Sequence, residues 1–162
     1  MARHLVIQLA RFGDILQTKR LVASLARQQG EEIHFLVDHS LTELTRRVYP
    51  ACTVHGITAH AGEGRISPAD CLESVCQTLG LVGRVSFDSV FNLNYSGLNF
   101  SLSSCFDPEQ VRGYAWHSGQ PVVQPWASMA VRWTRVRRRA GINLMDFWAG
   151  YAPDMASPET VN

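Results

Sequence analysis

The sequence predicts an α/β chain in which a parallel sheet is covered by helices on both faces. Three observations predict it. Short apolar runs rich in β-branched residues recur along the chain, stretches of helical period separate them, and Gly, Pro or a capping residue marks most of the exchanges. Strands alternating with helices imply right-handed crossovers, which put helices on both sides of the sheet. At 162 residues the chain makes one domain with room for a real core, assigned here to 1–151, followed by a polar tail at 152–162.

"HLVIQL" (4–9) is too short and too β-branched for a helix and reads as a buried strand. Residues 15–29 follow as a helix, with Ile15, Val22, Leu25 and Ala26 inward and Gly30 as its stop. "EIHFLVD" (32–38) is the second strand. "SLTELTRRVY" (40–49) is the next helix, opened by Ser40 and Glu43 in capping-box spacing and closed by Pro50. "TVHGI" (53–57) is a short strand leading into a loop with Gly and His. Ser67-Pro68 starts a helix whose Leu72, Val75, Cys76 and Leu79 repeat at i, i+3, i+4, i+7, which makes Cys76 a core residue. "FDSVFNLN" (87–94) is a strand, and "YSGLNFSLSSCF" after it reads as a helix, although its alternation also suits a strand. "QVRGYA" (110–115) is a fifth strand. Pro125 begins a helix to about residue 140, with Trp126, Met129, Trp133 and Val136 as its buried stripe. Asn143 caps a last helix whose Leu144, Phe147, Trp148 and Tyr151 share one face.

Composition excludes several function classes. Fifteen Lys and Arg balance fourteen Asp and Glu, so bulk charge predicts neither nucleic-acid nor membrane binding. Cys52, Cys71, Cys76 and Cys105 form no CxxC pair and read as reduced core thiols. With no signal-peptide pattern and no apolar stretch near the roughly 20 residues a bilayer demands, the expected location is cytoplasmic. The six histidines, His55 and His60 among them, match no metal-ligand spacing, and no metal is expected. Five arginines fall in "RWTRVRRR" (132–139). They read as a solvated helix end suited to cations, or as a site for phosphates, carboxylates or anionic headgroups at the inner membrane face. Trp126 and Trp133 read as core, not as a sugar-stacking platform.

In parallel sheets ligands gather beyond the carboxyl ends of the strands. The candidate loops are therefore Arg11 to Asp14, Asp38-His39, 58–66, Asn94 to Ser96, and 115–119. "ARFGD" (10–14) lacks both G-x-G-x-x-G and the GK[ST] of a P-loop, so a dinucleotide or nucleoside triphosphate is not expected there in the usual way. Its structural reading gives Gly13 a positive φ and makes Asp14 the N-cap of the next helix. Arg65, in a cleft-facing loop, and Arg112, near a strand end, suit an anionic ligand. Asn94, Tyr95 and Ser96 would bond sugar hydroxyls or cap the helix that follows them.

The stretch "LVIQLARFGDILQTKRLVASLARQ", with "IHFLVD" after it, resembles the opening of family 9 glycosyltransferases, the heptosyltransferases of lipopolysaccharide core assembly. Gly13, Asp14, Ile15-Leu16 and Thr18 carry the likeness. The run "FDSVFNLNYSGLNFSLSSCF…VRGY" is similar to that family's "NL" strand, Ser-rich helix and closing strand, and "NLMDFWAGYA" to the helix ending its first domain. The resemblance implies a three-layer Rossmann-like domain, the N-terminal half of a GT-B fold. This half holds a lipid-linked saccharide acceptor, while a nucleotide-sugar donor binds a second domain that would begin where these 162 residues end. It also implies Asp14 as the catalytic base and no bound metal; by their positions in the chain Arg11, Gly13, Thr18, Arg65, Asn94, Tyr95, Ser96 and Arg112 are the residues expected near the acceptor, and no cofactor is expected. The alternative is a non-catalytic, flavodoxin-like binding module using the same strand ends.

Overall fold

The computed structural model describes residues 1–27, 30–59, 68–136, 141 and 143–152. Its strands are β1 (Arg3–Gln8), β2 (Glu32–Asp38), β3 (Thr53–Ile57), β4 (Ser89–Asn92), β5 (Val111–His117) and β6 (Gln120–Val123). They form one sheet in the order β3-β2-β1-β4-β5-β6, parallel throughout except for β6, which pairs antiparallel with β5. The helices are α1 (Phe12–Leu16), α2 (Lys19–Leu25), α3 (Thr42–Val48), α4 (Pro68–Val82), α5 (Gly97–Ser103), α6 (Pro125–Thr134) and α7 (Leu144–Ala149). None of these is long and apolar enough to cross a membrane.

A parallel sheet buried on both faces needs strands that are apolar on both faces. In β1, Leu5 and Ile7 enter one core with Leu36, Ile57, Val82 and Leu102, whereas Val6 enters the other with Phe35, Phe91, Leu21 and Trp148. The α/β architecture with layers on both faces is thus as the alternation predicted. Helix α7 returns to the face of α2, where the buried Arg20 guanidinium bonds the Asp146 carboxylate across 126 residues of chain.

Several elements differ from expectation, each for a physical reason. The helix expected at 15–29 starts at Phe12 and is two helices broken at Gln17-Thr18. The Ile15 carbonyl, which an unbroken helix would offer to residue 19, accepts from the Thr18 amide (3.1 Å), the Thr18 hydroxyl (2.7 Å) and the Tyr49 hydroxyl (2.8 Å). Ala26 lies exposed beyond α2. The Ser40–Glu43 capping box does not form. Asp38 caps a 3-10 turn over His39–Leu41, accepting from the Ser40 amide (3.0 Å), and Glu43 pairs instead with Arg47 at i+4 (3.0 Å). Helix α4 lies on the sheet through Val75, Leu79 and Val82, while the Thr78 hydroxyl donates to the Gly56 carbonyl (2.8 Å). That rotation leaves Leu72 and Cys76 in solvent, so Cys76 is not a core residue; Cys105 is exposed too, Cys52 is half-buried, and the Cys71 side chain lies outside those described.

The segment 115–119, expected as a loop, is the end of β5 and a two-residue hairpin. Ser118 (φ 51°) and Gly119 (φ 79°) are both left-handed, as a hairpin turn that matches strand twist requires. Helix α6 stops at Thr134, and Val136 is exposed rather than buried. Residues 137–140, His60 and nearly all of the expected tail lie outside the described residues. The expected strand at 53–57, the helix after Tyr95 and the Asn143 cap (accepting from the Met145 amide, 3.0 Å) are all present.

Candidate functional site at the strand-order switch

Strands β1 and β4 are neighbours in the sheet, but the 80 residues 9–88 lie between the end of β1 and the start of β4. From β1 the order runs outward to β2 and β3, and from β4 it runs the other way. The crevice outside the carboxyl ends of two such strands is where open α/β sheets bind ligands. A cleft of ≈ 400 Å³ opens there, lined by Leu9 and Ala10 after β1, Ala59 after β3, and Asn94 to Ser96, Leu98 and Asn99 after β4.

Hydrogen bonds tie the two turns together. The Leu9 amide donates to Asn94 Oδ1 (2.8 Å), and the Leu93 amide to the Ile7 carbonyl (3.2 Å). Below them Asn92 and Asn99 are almost wholly buried. Asn92 Nδ2 donates to the carbonyls of Asn99 (2.9 Å) and Tyr114 (2.6 Å), and its Oδ1 accepts from Asn99 Nδ2 (2.8 Å). Ser96 caps α5, accepting from the Asn99 amide (3.1 Å) and donating to Asn99 Oδ1 (2.8 Å). Gly113 completes this floor. Its φ of +100° is left-handed, and a Cβ there would stand 2.2 Å from the Asn92 carbonyl oxygen, so no other residue fits without movement.

Asp14 stands at the third position of α1, half-buried, with Arg11 as the N-cap. It is not the cap that the structural reading made it, and Gly13 has no positive φ. Asp14 Oδ2 accepts from the Arg11 amide (3.1 Å), whereas Oδ1 has no hydrogen bond among the described residues. A Cβ on Gly13 would meet nothing within 4 Å, so open space lies beside the carboxylate's neighbour. The side chain of Arg11 is exposed in the same turn.

The structure brings together Arg11, Gly13 and Asp14 in one turn and Asn94, Tyr95 and Ser96 in the other. Thr18 is removed from the acceptor set: it is fully buried, and its hydroxyl is spent on Ile15 and on Tyr49 (2.9 Å). Arg112 is removed as well. It lies at the amino-terminal end of β5, where its guanidinium donates to the Glu109 carbonyl (2.5 Å), away from the carboxyl rim. Arg65 lies outside the described residues. Asp38 ends β2 with both oxygens occupied, by Ser40 and by the Ala59 amide (2.9 Å).

Sequence reasoning missed Asn92 and Asn99. The available signal was an amide side chain inside an apolar strand, where Asn is disfavoured unless it has partners. It also missed a second cavity, of ≈ 590 Å³, on the other side of Tyr95. Leu93, Tyr95, Tyr114, Val131, Leu144 and Trp148 form most of its wall, and Asn94 is shared by both. Tyr95 is 68% exposed and stands edge-on to Phe100 and Tyr114, dividing the two. Burial raises the Tyr114 phenol pKa, which keeps that group a neutral hydroxyl.

His34 and His55 lie far from the rim and stack on one another, Nδ1 to Nε2 at 3.0 Å. Burial lowers the pKa of both, in His34 partly offset by Glu32. Among the described residues no three His, Cys, Asp or Glu side chains are grouped to hold a metal ion. The chain matches no family model, no curated protein and no solved structure.

Proposed function

We propose that this chain is the acceptor-binding half of an inverting glycosyltransferase of the heptosyltransferase kind, with Asp14 as its base. One observation carries the reading: a carboxylate with an unoccupied oxygen in the first helical turn after the central strand, at the switch point of a doubly wound sheet. An acceptor hydroxyl gives its proton to Asp14 while its oxygen bonds to the anomeric carbon of the donor sugar. The nucleoside diphosphate leaves from the opposite face with the electron pair of the broken bond, so the configuration inverts. The carboxylate also favours the positive charge that builds on the ring at the transition state. The donor, a nucleotide sugar, is held by a second domain.

Ser96 is committed to capping, so Asn94 Nδ2 and the Tyr95 hydroxyl are the polar groups left to meet sugar hydroxyls in the cleft. Arg11 suits a phosphate or carboxylate on a lipid-linked acceptor, which places the protein at the inner membrane surface during turnover. A second reading is a non-catalytic binding module. The bond from the Arg11 amide to Asp14 favours it, because it gives the carboxylate a purely structural task.

Calorimetric titration separates the readings. A lipopolysaccharide inner-core saccharide should bind the chain, and an ADP-sugar should not; a saccharide that fails to bind overturns the proposal. Joined to a nucleotide-binding half, Asp14→Asn should keep saccharide binding and lose transfer, whereas the module reading predicts no transfer by either form.

A further inference from the structure

We propose that the ≈ 590 Å³ cavity between the β4–α5 turn and helices α6 and α7 binds the hydrocarbon chain of an anionic single-chain amphiphile, with Arg132 and Arg135 receiving its headgroup. The volume falls within the about 300–1,000 Å³ of small-molecule sites. The wall is mostly apolar, built from Leu93, Val123, Val131, Leu144 and the rings of Tyr114 and Trp148, with Asn94, Tyr95 and Ser128 as its polar side chains. Apolar wall open to water gains most from an apolar occupant.

Charge supplies the second, independent indication. Ser128 and Val131 of α6 line the cavity, and Arg132 and Arg135 follow each of them by four residues, one helical turn further along the same faces. Both arginines are exposed, and neither forms an ion pair among the described residues. A cationic end beside an apolar cavity suits a chain with an oxyanion head, carboxylate or phosphate alike. The site does not use Asp14; Asn94 and Tyr95 line it and the neighbouring cleft alike, and its test reads amphiphile binding rather than sugar transfer.

Titration with laurate and with dodecyl phosphate, each below its micelle concentration, tests the assignment; calorimetry and tryptophan fluorescence, with Trp148 in the wall, provide the readouts. Saturable one-to-one binding is expected, and the arm that binds tighter identifies the head. Shortening the chain by two carbons should weaken binding about tenfold. Ser128→Trp, at an exposed position on the wall, should block the chain with the circular dichroism unchanged. Arg132→Glu with Arg135→Glu should weaken the anionic ligands about tenfold or more and leave dodecyl maltoside unchanged. Equal affinity for dodecyl maltoside and dodecyl phosphate, no dependence on chain length, or binding to anionic vesicles without binding to the monomeric amphiphile would each overturn it.

Discussion

The turns after β1 and β4 face each other across one cleft, yet they are built in opposite ways. The β1 turn is open. Arg11 and Gly13 are exposed, and Asp14 holds only its own helix start. The β4 turn is cross-linked through its floor, where Asn92, Asn99 and the Tyr114 carbonyl satisfy one another out of water, with the exposed Ser96 joined to Asn99 from above. A buried polar network that is fully paired fixes geometry, and breaking it is costly. An under-committed carboxylate is cheap to leave and free to react. The rim thus sets a cross-linked scaffold on one side against a carboxylate with an unoccupied oxygen on the other.

Substitutions on the two sides should therefore part company. If the proposed sugar transfer holds, the largest effect belongs to Asp14→Asn in the chain joined to a nucleotide-binding half. Transfer should fall by about 10²–10⁴, with stability altered by no more than about 1 kcal/mol. Transfer near the unsubstituted rate would remove Asp14 as the base. Gly113→Ala should do the reverse. It forces a Cβ against the Asn92 carbonyl at a left-handed φ and should cost about 3–5 kcal/mol in urea unfolding. Asn92→Leu comes next, at about 2–4 kcal/mol, because it strands the Asn99 amide and the Tyr114 carbonyl. A smaller loss there would mean that water enters and the floor is softer than its bonds suggest.

The smallest effect lies away from both turns. His34 and His55 take up protons less readily in the folded protein than in the unfolded chain, whose histidines titrate near pH 6.5. The unfolded state then binds more protons as acid is added, so their contribution is fully present above about pH 6.5 and declines below it. Urea midpoints measured downward from pH 7 should fall, and His34→Phe should flatten that fall. An unchanged slope would show that another group controls it.

What was legible in the sequence was whatever a residue settles with its neighbours in the chain. β1 and β2 stood out because both faces are apolar, and Asn143 and Pro125 marked helix starts by local chemistry. The break at Thr18 was not legible, because it depends on a hydroxyl 31 residues away on Tyr49. The orientation of α4 was not legible either: Leu72 and Cys76 share the helical period with Val75 and Leu79, and only the sheet decides which flank is covered. The Ser118–Gly119 hairpin carried a turn dipeptide, but β6 behind it is short and starts with Gln-Pro, which disguised it. At the rim, Asp14 was singled out by the resemblance of its Gly-Asp turn, while local chemistry misplaced it as the N-cap. The asparagine floor was not legible, since its partners come from β4, α5 and β5 at once.

The clasp between Arg20 and Asp146 has a consequence for how the molecule is made. Leaving a ribosome, α2 emerges with a cation that has to wait for residue 146 before it meets this carboxylate, and the apolar side of Leu21 and Leu25 waits for Phe147 and Trp148. Nascent chains ending before α7 should therefore stay sensitive to protease on that face, and folding of this layer should be largely postponed until α7 has been made.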